Sequence, residues 1–110
     1  MAVTTLELFR AGNKSSARMD QVRPLDVTMF AKNGMDWVKG RSGGISTVDA
    51  PDPTVAGTWW RLPAGTAYDD NLLFLWNDFG NHWSWEPSHD MPVLMYRTEL
   101  ASINARFIRV

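Results

Sequence analysis

Residues 82–87 read HWSWEP, in which polar side chains alternate with two tryptophans before a proline. Alternation with period two is typical of a strand that buries one of its faces. It turns Trp83 and Trp85 toward the core, and we expect both indoles to be buried. The opposite face of the predicted strand carries His82, Ser84 and Glu86.

The polar face of this strand has two interpretations. Two buried indoles would hold an imidazole, a hydroxyl and a carboxylate in fixed positions, which suits a binding or catalytic site. An ordinary solvated sheet face shows the same pattern. His82 is the stronger candidate, because a neutral imidazole offers one donor and one acceptor, whereas His89 lies in a loop. Without carboxylates at ligand spacing, these two histidines predict no metal site.

Short strands are predicted on both sides of this element. VTTLELFRAG alternates, and it places Arg10 at the strand end on the same face as the leucines. LDVTMF, TWWRLP and NLLFLW are further strand candidates. Asn33-Gly34 is a two-residue hairpin signal, and we expect a tight loop over residues 77–81. Residues 12–24 are polar and weakly patterned, so they predict a loop.

One helix is predicted over residues 91–104. Apolar residues recur there at three- and four-residue spacing, which is one stripe of a helix. The stripe consists of Val93, Tyr96, Leu100, Ile103 and Phe107. Asp90 is a suitable N-cap, and Pro92 suits the first turn. The last residues, ARFIRV, continue either as a final strand or as the tail of the helix. The overall prediction is an α+β fold.

The composition narrows the class of protein. The chain has 110 residues, so one domain over residues 1–110 is expected. A net charge of -1 without a run of Lys or Arg argues against a nucleic-acid protein that depends on counterion release. The lack of cysteine excludes disulfides and zinc-thiolate sites. With neither a secretory signal nor a membrane span in the sequence, we expect a soluble protein made in the cytoplasm.

Two further stretches contain candidate site residues. Arg10 lies in line with core-facing leucines, so its charge either pairs with an acid or clamps a phosphate or carboxylate ligand. Ser46 and Thr47 follow Gly43-Gly44, where the missing side chains let a ligand approach the backbone. A simple turn with satisfied hydroxyl groups explains the same residues.

Five motifs follow one another along the chain: LELFRAG, GGIST, WWRLPAGT, HWSWEP and MPVLMYRTEL. In this order they resemble the small ADP-ribosyltransferase-fold toxins that bacteria deliver by type VI secretion, and their bacterial and fungal relatives. The resemblance covers residues 5–11 and roughly 40–104, and the order and spacing of the motifs carry it. It implies two small packed antiparallel sheets with a C-terminal helix, and NAD as the cofactor in a cleft between the sheets.

The resemblance also implies a role for individual residues. Arg10 would contact the phosphates or a ribose of NAD, and Ser46 would support the nicotinamide ribose. Better-known members carry a Glu-x-Glu near the C-terminus that this chain lacks, and Glu86 is the nearest candidate for the catalytic acid. The implied catalytic residues are Arg10, Ser46, His82 and Glu86, and the implied cofactor-binding residues are Arg10, Gly44, Ser46, Thr47 and His82.

The implied function is a bacterial toxin domain that acts in the cytoplasm of a target cell. It would be an NAD-dependent ADP-ribosyltransferase or an NAD glycohydrolase, neutralised in the producing cell by a cognate immunity protein or antitoxin. Two other functions fit the residues. One is a tryptophan-rich module that binds carbohydrate or protein without catalysis. The other is a ribonuclease-like toxin in which His82 and an acid shuttle protons.

Overall fold

The computed structural model of the chain describes residues 2–76 and 80–110. The predicted loop over 77–81 therefore lies largely outside the described residues. The strands are β1 (Ala2–Val3), β2 (Leu8–Gly12), β3 (Met29–Lys32), β4 (Met35–Val38), β5 (Ile45–Val48), β6 (Thr58–Leu62), β7 (Ala67–Tyr68), β8 (Leu72–Trp76), β9 (His82–Pro87), β10 (Met91–Pro92) and β11 (Ile108–Arg109). The helix α1 covers Val93–Asn104.

The architecture is α+β, with antiparallel sheets and a C-terminal helix. The main sheet has six strands in the order β11-β6-β2-β5-β9-β8, and a second sheet has the order β10-β4-β3. β1 and β7 form a third sheet of two strands, so the prediction of two sheets is wrong for the described part of the chain. No helix of the described residues is long and apolar enough to cross a membrane.

The third sheet exists because the predicted N-terminal strand is broken at Thr4. The Thr4 amide donates to the Thr66 carbonyl at 2.9 Å, and its hydroxyl accepts the Thr66 amide at 3.0 Å. The Thr4 side chain is buried and also donates to the carbonyl of Pro63. These bonds hold β1 on β7 and separate it from β2, although the alternation of the sequence is continuous across the break.

β9 is the element around which the core forms. Trp85 is fully buried, and its Nε1–H donates to the Thr47 hydroxyl. Its ring centroid lies 4.7 Å from that of Phe74 and 5.2 Å from that of Tyr68. Trp83 is only partly buried and stacks on Phe74 with ring centroids 4.8 Å apart, so the prediction that both indoles are buried is confirmed for Trp85 and wrong for Trp83. Trp83 lies nearer the strand end, where its Nε1–H reaches a carboxylate oxygen of Asp49.

The polar face of β9 is less open than its sequence pattern predicts. Ser84 is buried, whereas His82 and Glu86 are partly exposed. Ser84 pairs with Ser46 on one side and with Leu75 on the other, in the middle of the sheet. A short side chain between two strands is shielded by its neighbours, which the alternation of one strand does not reveal.

The helix buries the predicted stripe but begins later than expected. Tyr96, Leu100 and Ile103 are buried, and the Tyr96 hydroxyl donates to the Trp85 carbonyl at 2.6 Å. Residues 91–92 are not helical, because they form β10 and pair with β4. Asp90 does not cap the helix, since its carboxylate accepts the amide of Gly40 at 2.8 Å.

The predicted hairpin turn and final strand are both present. β3 and β4 are joined at Asn33 and Gly34, whose φ angles of 52° and 75° are those of a two-residue hairpin turn. The strand predicted over residues 25–30 is displaced toward the C-terminus, to β3. Of the two alternatives for the last residues, β11 shows that a strand forms.

Candidate functional site

The site begins where two strands of the main sheet diverge. Within the described residues, β2 pairs with β6 over five residue pairs but with β5 through a single pair, Phe9 with Val48. Beyond that pair, Arg10 donates from its guanidinium to the carbonyl of Ser46 at 2.6 Å. The arginine side chain therefore replaces the main-chain hydrogen bonds that a continued ladder would supply, and it holds the two strands at the point of divergence.

The remaining donors of Arg10 fix the loop that follows β2. Nε donates to the Ala17 carbonyl at 2.9 Å, and a terminal nitrogen donates to the Arg18 carbonyl at 3.4 Å. Burial lowers the pKa of Arg10, while the nearby Asp26 carboxylate acts in the opposite direction and raises it. An arginine remains charged at neutral pH, so a partly desolvated positive charge lies at the divergence.

A cationic cavity of about 180 Å³ opens beside this guanidinium. Its lining includes three arginines, Arg10, Arg18 and Arg23, together with Gln21. Asp26 is the acid nearby, and both of its oxygens accept hydrogen bonds from Arg23, at 3.2 and 3.1 Å. Three arginines line the cavity and Asp26 is the acid near them, so the cavity has an excess of positive charge, which favours an anionic ligand.

A second, more apolar groove of about 200 Å³ is also lined by Arg10. Phe9, Val48 and Trp59 supply its apolar surface, and Ser46 and His82 supply polar groups. Both cavities are lined by Arg10 and Ala11, so they meet at the divergence of β2 and β5. The arrangement can receive an extended ligand that has an anionic part and a flat or apolar part.

The structure brings four of the predicted site residues together around this groove. Arg10, Ser46, Thr47 and His82 all line it. The Thr47 hydroxyl is already engaged, since it donates to the Trp83 carbonyl and accepts from the Trp85 indole, both at 3.2 Å. Ser46 is exposed, which leaves its side chain accessible to a ligand.

Glu86 and Gly44 lie apart from the groove. Glu86 follows His82 by four residues on β9, which places the side chains of Glu86 and His82 about 13 Å apart along the strand. Glu86 pairs with Leu73 of β8. A Cβ atom at Gly44 would lie 2.1 Å from the Trp85 carbonyl oxygen. The close approach of β5 to β9 therefore accounts for this glycine without a ligand.

Two arginines of the loop were not among the predicted site residues. Arg18 and Arg23 belong to a stretch predicted as a plain loop, and only the fold brings them to Arg10. Arg18 adopts a φ of 60°, an uncommon left-handed conformation for a residue other than glycine. The sequence does place Arg18 and Arg23 on either side of Met19, an apolar residue in an otherwise polar segment. Met19 is buried in the structure, and this pattern could have indicated that the loop packs on the core and carries its arginines with it.

The chain matches none of the known protein-family models, curated proteins or solved structures with which it was compared. In the described residues, no group of three His, Cys, Asp or Glu side chains is arranged to hold a metal ion. The donors at the divergence are guanidinium, hydroxyl and imidazole groups, which suit an organic anion.

Proposed function

We propose that this chain is a bacterial toxin domain that consumes NAD, as an ADP-ribosyltransferase or an NAD glycohydrolase. One observation carries the proposal: a cationic cavity and an apolar groove meet at Arg10, where β2 and β5 diverge. The motif order of the sequence supports the same function by resemblance.

NAD has both an anionic part and flat rings, which are the two features that this surface can bind. Its diphosphate carries two negative charges, and Arg18 and Arg23 would hold these charges beside Arg10. Its rings are flat, and its riboses carry hydroxyl groups. Trp59 supplies an aromatic surface for a ring, while Ser46 and His82 supply hydrogen-bonding groups for a ribose.

The chemistry of the proposed reaction explains what the groove must add. Cleavage of the bond between nicotinamide and ribose builds positive charge on the sugar, as in glycoside hydrolysis. His82 and Ser46 would orient the sugar hydroxyl groups near the bond that breaks. At about 13 Å from His82 along β9, Glu86 is too far to act on the same bond, so we assign it a minor role.

The proposal is tested with purified protein and NAD. NAD binding is measured by calorimetry, and nicotinamide release is measured by chromatography. Arg18→Ala is expected to weaken NAD binding about tenfold, the usual effect of losing one charge-assisted bond. Arg41→Ala is the matched control, because Arg41 is also exposed and has nearly the same φ, 59° against 60°.

The outcomes separate the three candidate functions. Nicotinamide release that is lost in His82→Ala supports the proposal. Degradation of RNA in expressing cells at a constant NAD level would instead indicate a ribonuclease. Quenching of tryptophan fluorescence by sugars but not by NAD would indicate a binding module. A toxin also requires protection of its producer, so we propose a cognate immunity protein that blocks this site.

A further inference from the structure

A cavity of about 310 Å³ lies between the C-terminal part of α1 and the strand β7. Its lining includes Tyr68 and Asp69 on the strand side and Glu99, Ser102, Ile103 and Arg106 on the helix side. No lining residue is shared with the cavity or the groove at Arg10, so the inference does not depend on the proposed function. Sites for small molecules begin at about 300 Å³, so the volume suits one small ligand.

Two of the lining residues are anchored in the core. Ile103 is buried, and the Tyr68 ring packs edge-on against the buried Trp85, with ring centroids 5.2 Å apart. A ring held in this way presents its hydroxyl in a fixed position. Burial, and then the charge of Asp70, raise the pKa of Tyr68, so its hydroxyl is a donor at neutral pH.

Three charged side chains line the cavity. Asp69 and Glu99 are acidic, and Arg106 is basic. Within the described residues, neither Glu99 nor Arg106 takes part in an ion pair. One carboxylate oxygen of Asp69 accepts the Asn71 amide at 2.9 Å, which leaves the second oxygen for a ligand.

Glu99 and Arg106 lie at different heights along the helix. Glu99 is within α1, and Arg106 lies just beyond the helix end, where its amide donates to the Ile103 carbonyl. A rise of about 1.5 Å per residue separates the two main-chain positions by about 10 Å. Ser102 lies one turn after Glu99 on the same side of the helix, and its hydroxyl can donate or accept. The cavity therefore offers acidic and basic groups at separate positions.

We propose that this cavity binds a free basic amino acid such as arginine. At neutral pH such a molecule has two cationic groups and one carboxylate, which complement the two carboxylates and one guanidinium of the cavity. Asp69 and Glu99 would bind the cationic groups, and Arg106 would bind the carboxylate. The last residue of a peptide has no α-ammonium group, so it matches these charges less well.

The proposal is tested by NMR titration of the full chain, followed at the amides of Tyr68 and Ser102. L-arginine carries all three charges, and three analogues each lack one of them. Agmatine lacks the carboxylate, L-citrulline has a neutral urea in place of the guanidinium, and Nα-acetyl-L-arginine lacks the α-ammonium. We expect a Kd of about 1 mM for L-arginine, which is ordinary for a ligand of this size. Each analogue should bind about tenfold more weakly, because one charge-assisted bond is lost.

Two variants assign the charges to their partners. Arg106→Gln should weaken L-arginine about tenfold and leave agmatine unchanged, because agmatine has no carboxylate for Arg106 to bind. Glu99→Gln should weaken both ligands about tenfold, because both carry the two cationic groups. Arg41→Gln and Asp36→Asn are the matched controls, since they change the net charge equally at exposed residues outside the cavity.

Three results would overturn the proposal. The first is the absence of saturable shifts at Tyr68 and Ser102 up to about 50 mM L-arginine, about fiftyfold above the expected Kd. The second is an effect of Arg106→Gln no larger than that of Arg41→Gln. The third is an analogue that binds at least as tightly as L-arginine. In the case of Nα-acetyl-L-arginine, this result would show that the cavity takes the C-terminal residue of a peptide instead.

Discussion

Replacing the tryptophans of β9 one at a time tests how the core is built. Trp85 is 0% exposed and donates a hydrogen bond to Thr47, whereas Trp83 is half-buried. Truncating a fully buried tryptophan to alanine costs about 3 to 5 kcal/mol, and the lost hydrogen bond adds about 1 kcal/mol. We therefore expect Trp85→Ala to lower the free energy of unfolding by about 5 kcal/mol.

Trp83→Ala should cost less than Trp85→Ala, because part of the Trp83 indole surface is already in water in the folded state. Unfolding in urea, followed by far-UV circular dichroism, gives each free energy by linear extrapolation. If Trp85→Ala does not fold, Trp85→Phe keeps a ring beside Phe74 and is expected to cost about 2 kcal/mol. Equal losses for Trp83→Ala and Trp85→Ala would refute the assignment of one fully buried indole.

Three further predictions concern the site, the strand contact and the pH dependence. Arg10→Ala should lower the free energy of unfolding in urea by about 3 kcal/mol, because three main-chain carbonyls lose a donor. His82→Ala and Ser46→Ala should keep the stability of the protein and lose NAD consumption. Ser84→Ala should reduce NAD consumption only slightly. Gly44→Ala should cost at least about 2 kcal/mol in urea unfolding, since its Cβ would lie 2.1 Å from the Trp85 carbonyl oxygen. Burial raises the pKa of Tyr96. The neutral phenol therefore stabilises the fold below about pH 10, and this contribution is lost as the pH rises above that value. Tyr96→Phe should flatten the decline of the unfolding free energy above about pH 10.

The sequence alone determined the elements whose signal is local. The alternation in HWSWEP predicts β9, the three- and four-residue stripe predicts α1, and Asn33-Gly34 predicts the hairpin between β3 and β4. Each signal lies within a dozen residues, where side-chain direction follows directly from backbone geometry. For this reason the α+β class could be predicted from the residues, whereas the antiparallel sheets were expected from the family resemblance.

Only the tertiary structure decided which residues meet. Ser84 is buried because β5 and β8 lie beside it, and Asp90 binds the distant Gly40 amide instead of capping the helix. In the same way, Arg10 reaches Ser46 across 36 positions of sequence, and the loop arginine Arg18 reaches the same cavity. Contacts of this kind depend on strand order and loop packing, and no period or local spacing in one chain encodes them.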